Sequence, residues 1–193
     1  MSRLMLGDLS LNVVVHGNGK GSALIVLHGF TGSVETWSPF LADWGRRRTV
    51  VAIDLLGHGD SDAPDDPERY RVEYAVADIL AVADRLGFHA FDLLGYSLGG
   101  RVALHLTLAA LERVRSLILE SVSPGILDPA ERQARIASDE DLAKVLEEEG
   151  ILAFVDRWER MPLFASQATL PADVRARLRA QRLRGNPRGL ANS

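Results

Sequence analysis

The segment Gly95-Tyr96-Ser97-Leu98-Gly99-Gly100 follows directly on the apolar run Phe91-Asp92-Leu93-Leu94. That juxtaposition leaves the chain few folds to choose from. A Gly-x-Ser-x-Gly stretch that closes a strand and opens a helix is a sharp turn, and glycines two before and two after the serine leave room for a strained bend. The bend presents the Ser97 Oγ at the carboxyl edge of a sheet, over a helix N-terminus whose dipole favours negative charge. Residues 91–94 read as a strand buried on both faces, which requires parallel neighbours covered by helices.

The rest of residues 1–125 supplies those neighbours. Residues 23–27 (Ala-Leu-Ile-Val-Leu) and 49–53 (Thr-Val-Val-Ala-Ile) are continuous apolar runs, as expected of doubly buried strands. Residues 11–16 read as an earlier strand ended by the turn at 17–21, and 114–119 as a fourth buried strand. Helical spacing of apolar residues covers 74–86 and 98–111. Strands alternating with helices predict an α/β fold with a mostly parallel sheet and helices on both faces. After Pro124-Gly125 the texture changes to Ala, Glu, Arg and Leu without a strand-like run. Residues 129–150, 151–158 and 171–184 read as three helices punctuated by Pro162 and Pro171. The expected organisation is a core at 1–125, a helical lid at 126–185 laid over the sheet edge, and the start of a return to the core at 186–193.

Two more strand ends carry chemistry-bearing loops. Leu27-His28-Gly29-Phe30-Thr31-Gly32 is a loop that can aim the Phe30 backbone N–H at a developing oxyanion, with the N–H of Leu98 as the second donor. Asp54-Leu55-Leu56-Gly57-His58-Gly59-Asp60-Ser61 is a turn after the next strand. Three such motifs in this order resemble the α/β-hydrolase fold. The match extends to Arg101, Ile118-Leu119-Glu120, Ser123-Pro124-Gly125, Trp158 and Pro162-Leu163-Phe164-Ala165-Ser166. Together these resemble one branch, the 2-succinyl-6-hydroxy-2,4-cyclohexadiene-1-carboxylate synthase family of menaquinone biosynthesis. That resemblance implies a lyase: proton abstraction by a triad, then 2,5-elimination of pyruvate, with no metal or organic cofactor. It implies Ser97 as the catalytic serine, Arg101, Arg135 and Arg182 as carboxylate clamps, and Tyr96 and Trp158 as pocket walls. The residue types suit a substrate with several carboxylates, because arginine forks match carboxylates in bidentate fashion. Other arginines after residue 126 (Arg132, Arg157, Arg175, Arg177, Arg179) read as solvated.

The remaining triad members are not evident. The fold places its acid and histidine late, in the order Ser…Asp…His. The only histidine after Ser97 is His105, roughly 12 Å down the same helix at 1.5 Å per residue, and it reads as a helix residue that can belong to the core. His28 reads as shaping its loop and His58 as a turn residue, while His16 and His89 have no reason to converge on Ser97. Asp54 and Glu120 are fallback acids. The expectation is a C-terminally truncated core, completed by a missing segment or by a second chain.

Composition narrows the partners. A net charge of −4, with 26 acidic against 22 basic residues, argues against nucleic acid. The absence of cysteine excludes disulfides and thiolate metal sites and suits the cytoplasm. No apolar run approaches the roughly 20 residues of a membrane span. The expected partner is a small polycarboxylate. An ester or carbon–carbon bond hydrolase, and a non-catalytic binding module, remain as alternatives on the same fold.

Overall fold

The structure is a computed structural model that describes residues 2–17 and 22–193. Among the described residues the sheet has six strands: β1 (Ser2–Leu6), β2 (Leu9–His16), β3 (Ala23–Leu27), β4 (Thr49–Ile53), β5 (Phe91–Tyr96) and β6 (Val114–Glu120). Their order is β1-β2-β4-β3-β5-β6. β1 and β2 form an antiparallel hairpin, β2 meets β4 antiparallel, and the remaining pairs are parallel. The hairpin partner β1 goes beyond the expected strands. Beyond Gly17, the turn expected at 17–21 falls outside the described residues.

Alternation of side chains along the central strands makes two cores. Leu24, Val26, Val50 and Ala52 face α1 (Ser38–Trp44) with Trp37 and Leu41. Ile25, Leu27, Val51, Ile53 and Leu93 face the opposite way, against α2 (Val72–Arg85) and α3 (Leu98–Ala109). Every residue of β3 and β4 is buried, which is why these strands read as unbroken apolar runs. The connection through α1 leads from β3 to β4, whereas the one through α2 crosses over β3 to reach β5. The chain therefore changes direction between β3 and β5, and the crevice at their carboxyl ends is where such sheets bind ligands.

β6 differs from its expectation. The apolar run at 114–119 predicts burial on both faces, but β6 is the edge strand among the described residues, and Ile118 is 50% exposed.

Beyond the sheet lie α4 (Pro129–Glu148), α5 (Gly150–Trp158), α6 (Ala172–Leu183) and α7 (Pro187–Ala191), with a 3-10 turn at Pro162–Thr169. Pro129 at the first position and the Asp128 side chain, which accepts the N–H groups of Ala130 and Glu131, start α4. Asn186 caps α7 in the same way, accepting from the Gly189 N–H before Pro187 sets the first turn. Leu142, Val145, Leu146, Phe154, Val155 and Leu190 form a separate apolar cluster, and Phe30 packs against it from the β3 loop. Residues 187–191, expected to begin a return to the core, form α7 and pack on this cluster. No described helix is long and apolar enough to cross a membrane.

Candidate active site

Ser97 stands between β5 and α3 with φ 51° and ψ −111°, a backbone conformation that costs about 1–3 kcal/mol outside glycine. Neighbouring backbone holds it there. The Ser97 N–H donates to the Glu120 carbonyl at 3.0 Å, and the Gly99 N–H donates to the His28 carbonyl at 3.0 Å. A Cβ on Gly99 would lie 2.5 Å from the carbonyl oxygens of Leu27 and His28. Only glycine lets the start of α3 touch the end of β3 backbone to backbone. The Ser97 side chain makes no hydrogen bond among the described residues.

The loop after β3 is set by a buried histidine. The His28 Nε2 accepts the Leu55 N–H at 3.0 Å, so its Nδ1 carries the proton and donates to the Gly29 carbonyl at 2.8 Å. The Gly32 N–H donates to the same carbonyl at 2.9 Å. That carbonyl and the Phe30 N–H belong to one planar trans peptide and point in opposite directions. Fixing the oxygen therefore fixes the Phe30 N–H. Neither the Phe30 nor the Leu98 N–H has a hydrogen-bond partner among the described residues. Burial pushes the His28 pKa down to about 4, so the neutral ring that this arrangement needs persists at neutral pH.

The other titratable groups near the sheet edge serve the loops. Asp54 accepts from Asn12 Nδ2 at 2.8 Å, the Val34 N–H at 2.6 Å and the Asp60 N–H at 2.9 Å. It ties β2, the α1 approach and the 57–62 turn together, and bonds to no histidine among the described residues. Burial raises its pKa, against the hydrogen bonds from Asn12, Asp60 and Val34. His58 is buried with its Nδ1 toward the Leu56 carbonyl, and desolvation lowers its pKa to about 3. Glu120 is exposed and contributes its carbonyl to Ser97. His105, expected to be able to sit in the core, is exposed on α3 because its face of the helix looks outward.

Ser97, Phe30 and Leu98 open onto a cavity of ≈ 340 Å³ between the sheet edge and the helices α4–α7. Tyr96, Arg101, Arg135, Trp158 and Arg182 also line it. The eight residues singled out in the sequence thus share one wall system, drawn from β5, α3, the β3 loop, α4, α5 and α6. Trp158 belongs both to this wall and to the apolar cluster, with its ring 5.3 Å from Phe30 and 5.1 Å from Phe164.

The three arginines differ in their surroundings. Arg101 forms no ion pair among the described residues. Arg135 donates through Nε to both carboxylate oxygens of Asp139 at 2.8 Å, one turn on along α4. Arg182 is buried and donates to Glu159 and Gln167 at 2.9 Å each. Phe164, from the 162–166 stretch, also lines the cavity, as do Asp139, Gln167 and Gln181, which the sequence does not single out. Asp139 is legible at i+4 from Arg135, whereas Gln181 owes its place to contacts of α6 with the core, through Ser33 and Thr36. Arg179, expected to be solvated, pairs with Asp156 and Glu159 because α6 lies alongside α5. No cluster of three metal-ligating side chains occurs among the described residues.

Residues 22–188 match the alpha/beta hydrolase fold family. The chain is 43% identical over 181 residues to the "Putative 2-succinyl-6-hydroxy-2,4-cyclohexadiene-1-carboxylate synthase" of Bacillus subtilis (strain 168), covering 94% of this chain and 66% of that one. It is 33% identical over 194 residues to the synthase of that name from Klebsiella pneumoniae (strain 342), covering 95% and 70%. Among solved structures it resembles MenH from S. aureus with a TM-score of 0.87 and 34% identity, covering 94% of this chain and 68% of that one. The chain spans about two thirds of the length of the curated relatives it matches. It belongs to the alpha/beta hydrolase fold family and, within it, to the group of 2-succinyl-6-hydroxy-2,4-cyclohexadiene-1-carboxylate synthases.

Proposed function

We propose that this chain carries the serine and the substrate clamps of a pyruvate-eliminating carbon–oxygen lyase of menaquinone biosynthesis. The product of the reading is 2-succinyl-6-hydroxy-2,4-cyclohexadiene-1-carboxylate. The observation that carries it is the convergence of Arg101, Arg135 and Arg182, from three separate helices, on the cavity that holds Ser97. A site for neutral esters has no use for three cations, whereas a polycarboxylate is oriented by them. The same class of ligand, rather than nucleic acid or a membrane surface, is the partner, and the cytoplasm is the compartment.

In this mechanism the Ser97 oxygen, relieved of its proton by a base, takes a proton from a substrate carbon. The electron pair left behind spreads through the conjugated system toward a carbonyl oxygen and then forms the new carbon–carbon double bond as 2,5-elimination breaks the carbon–oxygen bond. The leaving group departs as the enolate of pyruvate and takes up a proton from the base or from water to give pyruvate. The N–H groups of Phe30 and Leu98 stabilise the developing oxyanion, a kind of contact whose loss lowers rates about 10²–10³-fold in other enzymes. Helices α4–α7 act as the lid that keeps water away. No histidine among the described residues lines the cavity, so in this reading the base comes from outside the described residues, from the same protein or from a partner.

The test is turnover of the pathway intermediate by the whole protein and by its Arg101→Ala and Arg182→Ala variants. Loss of at least tenfold in kcat/KM for each supports the lyase, since a charge-assisted contact is worth about 1.5–3 kcal/mol. Unchanged turnover sinks it. Rapid hydrolysis of short p-nitrophenyl esters, blocked by a serine-directed phosphonate, assigns the site to ester hydrolysis instead. Binding of a dicarboxylate without turnover leaves a binding protein.

A further inference from the structure

We infer that Glu159 is a positioning residue for Arg182, and that Glu159 and Gln167 together present the Arg182 guanidinium to a carboxylate of the ligand as a preset fork. The inference rests on the polycarboxylate reading above. Arg182 is the least exposed of the three cavity arginines, and its long side chain would otherwise sample many rotamers. Three contacts remove that freedom. Glu159 Oε1 accepts from one terminal nitrogen and Gln167 Oε1 from the other, both at 2.9 Å. The guanidinium lies over the Phe164 ring, 5.1 Å from its centroid. The two acceptors come from the end of α5 and from the 162–169 turn, so the fork is gripped from both sides.

Glu159 is itself held. Its second oxygen accepts from Arg179 at 2.7 Å, and Arg179 reaches Asp156 at 2.5 Å through its other terminal nitrogen. Arg179 and Arg182 lie three residues apart on α6, and Asp156 on α5 and Glu159, the residue that caps its C-terminus, are three apart, so each pair lies on one face. The result is a ladder of alternating charge between the two helices, with Arg182 at its cavity end. An arginine has five N–H donors, and two are used here, so donors remain for a bidentate contact with a carboxylate. Gln181, next to Arg182, donates to Ser33 and Thr36 on the core side. The fork is therefore registered against the loop that carries the Phe30 N–H.

A purely structural role for Glu159 predicts something different. It would lower the stability of α5 and α6 whether or not Arg182 were present. The positioning role acts only through Arg182, so the two substitutions should not add.

The test measures binding of 2-succinyl-6-hydroxy-2,4-cyclohexadiene-1-carboxylate to the whole protein by titration calorimetry, with Tm recorded for each variant. The variants are Glu159→Ala, Glu159→Gln, Arg182→Ala and the Glu159→Ala/Arg182→Ala pair. Arg182→Ala is expected to weaken binding by at least tenfold and Glu159→Ala by about five- to tenfold, as loss of charge-assisted contacts implies. The double variant should bind like Arg182→Ala alone, and Glu159→Gln, which keeps an acceptor, should recover part of the affinity. Full additivity in the double variant overturns the inference, as does an unchanged Kd with a lowered Tm in Glu159→Ala. If the wild-type protein fails to bind this dicarboxylate at all, it is the functional reading that falls.

Discussion

The sheet and the helices α4–α7 solve different problems with different materials. In the sheet region, β3 and β4 are buried along their whole length, and two apolar cores sandwich them. The parts of the site that come from this region include backbone, the bend at Ser97 and the N–H groups of Phe30 and Leu98, beside the side chains of Tyr96, Ser97 and Arg101. Their accuracy comes from close packing, which tolerates little change. The helices contain one small apolar cluster and a large share of the ion pairs, including those of Arg135, Arg157, Arg177, Arg179 and Arg182. What they bring to the cavity is side chains: Arg135, Trp158 and Arg182. A preorganised oxyanion site needs rigid backbone dipoles, whereas a carboxylate clamp needs guanidinium forks, which neighbouring side chains can hold in place.

The sharpest way to break the comparison is at the point where the backbone contact is closest. Gly99→Val should abolish folding or lower stability by more than about 4 kcal/mol, because overpacking of this kind has no relaxed alternative. A Cβ there meets two backbone carbonyls at 2.5 Å rather than the end of a flexible side chain. Soluble yield and the urea midpoint report it, and a normal midpoint would mean that the elbow is looser than described.

Matched truncations in the two apolar regions sharpen the contrast. Leu93 and Phe154 are both fully buried, and each change to Ala should cost about 2–5 kcal/mol. They should differ in reach. Leu93→Ala lowers hydrogen-exchange protection across the sheet, whereas Phe154→Ala lowers it in α4–α7 and leaves β3 and β5 protected. Equal loss everywhere after Phe154→Ala would show that the two regions open as one unit.

Acid should act on the sheet edge before it acts on the helices. His28 and His58 have folded pKa values of about 4 and about 3, below their ordinary 6.5. The unfolded chain therefore binds more protons as pH falls below 6.5, and stability declines from there down to about 4 for His28 and about 3 for His58. Asp54 works the other way: its raised pKa means that the folded chain takes up that proton first, offsetting part of the loss. The net expectation is a drop of a few kcal/mol between pH 7 and pH 4, because each tenfold difference in proton affinity between the folded and unfolded chain is worth about 1.4 kcal/mol. Urea midpoints across that range measure it, and a flat profile would mean that the folded rings take up protons as readily as the unfolded chain.

The same division explains what is legible in the sequence. Ala23–Leu27 and Thr49–Ile53 can be read to the residue, because a doubly buried strand has to be apolar throughout. The backbone donors follow from motif spacing, since a peptide N–H has its place once the turn is known. Ser2–Leu6 carries no such signal, because it is an edge strand with Arg3 exposed and only Leu4 and Leu6 packed on the core. α1 has seven residues, too few for a periodic pattern to show. Residues 114–119 form the expected strand, and a neighbour on its outer side is not among the described residues. The partners of Arg182 lie 23 and 15 residues away, on other elements. Their pairing depends on how α5 and α6 lie together, which helical periodicity does not encode.

The smallest expected effect tests how Arg135, the clamp with a half-exposed partner, is supported. Arg135 is about half exposed, and so is its partner Asp139, so Arg135→Ala should change stability by less than about 0.5 kcal/mol, the usual worth of an exposed i,i+4 pair. Its effect should fall on the ligand instead. In the ligand-free protein the Arg135 charge is met by Asp139, and an incoming carboxylate has to compete with that partner. Asp139→Asn should therefore tighten binding of the dicarboxylate while Arg135→Ala weakens it, with both variants melting within a degree or two of wild type. Calorimetric titration beside a thermal melt separates the two quantities. If Asp139→Asn weakened binding as much as Arg135→Ala, the carboxylate would be a support that aims Arg135, as Glu159 aims Arg182, and the two arginines would share one design.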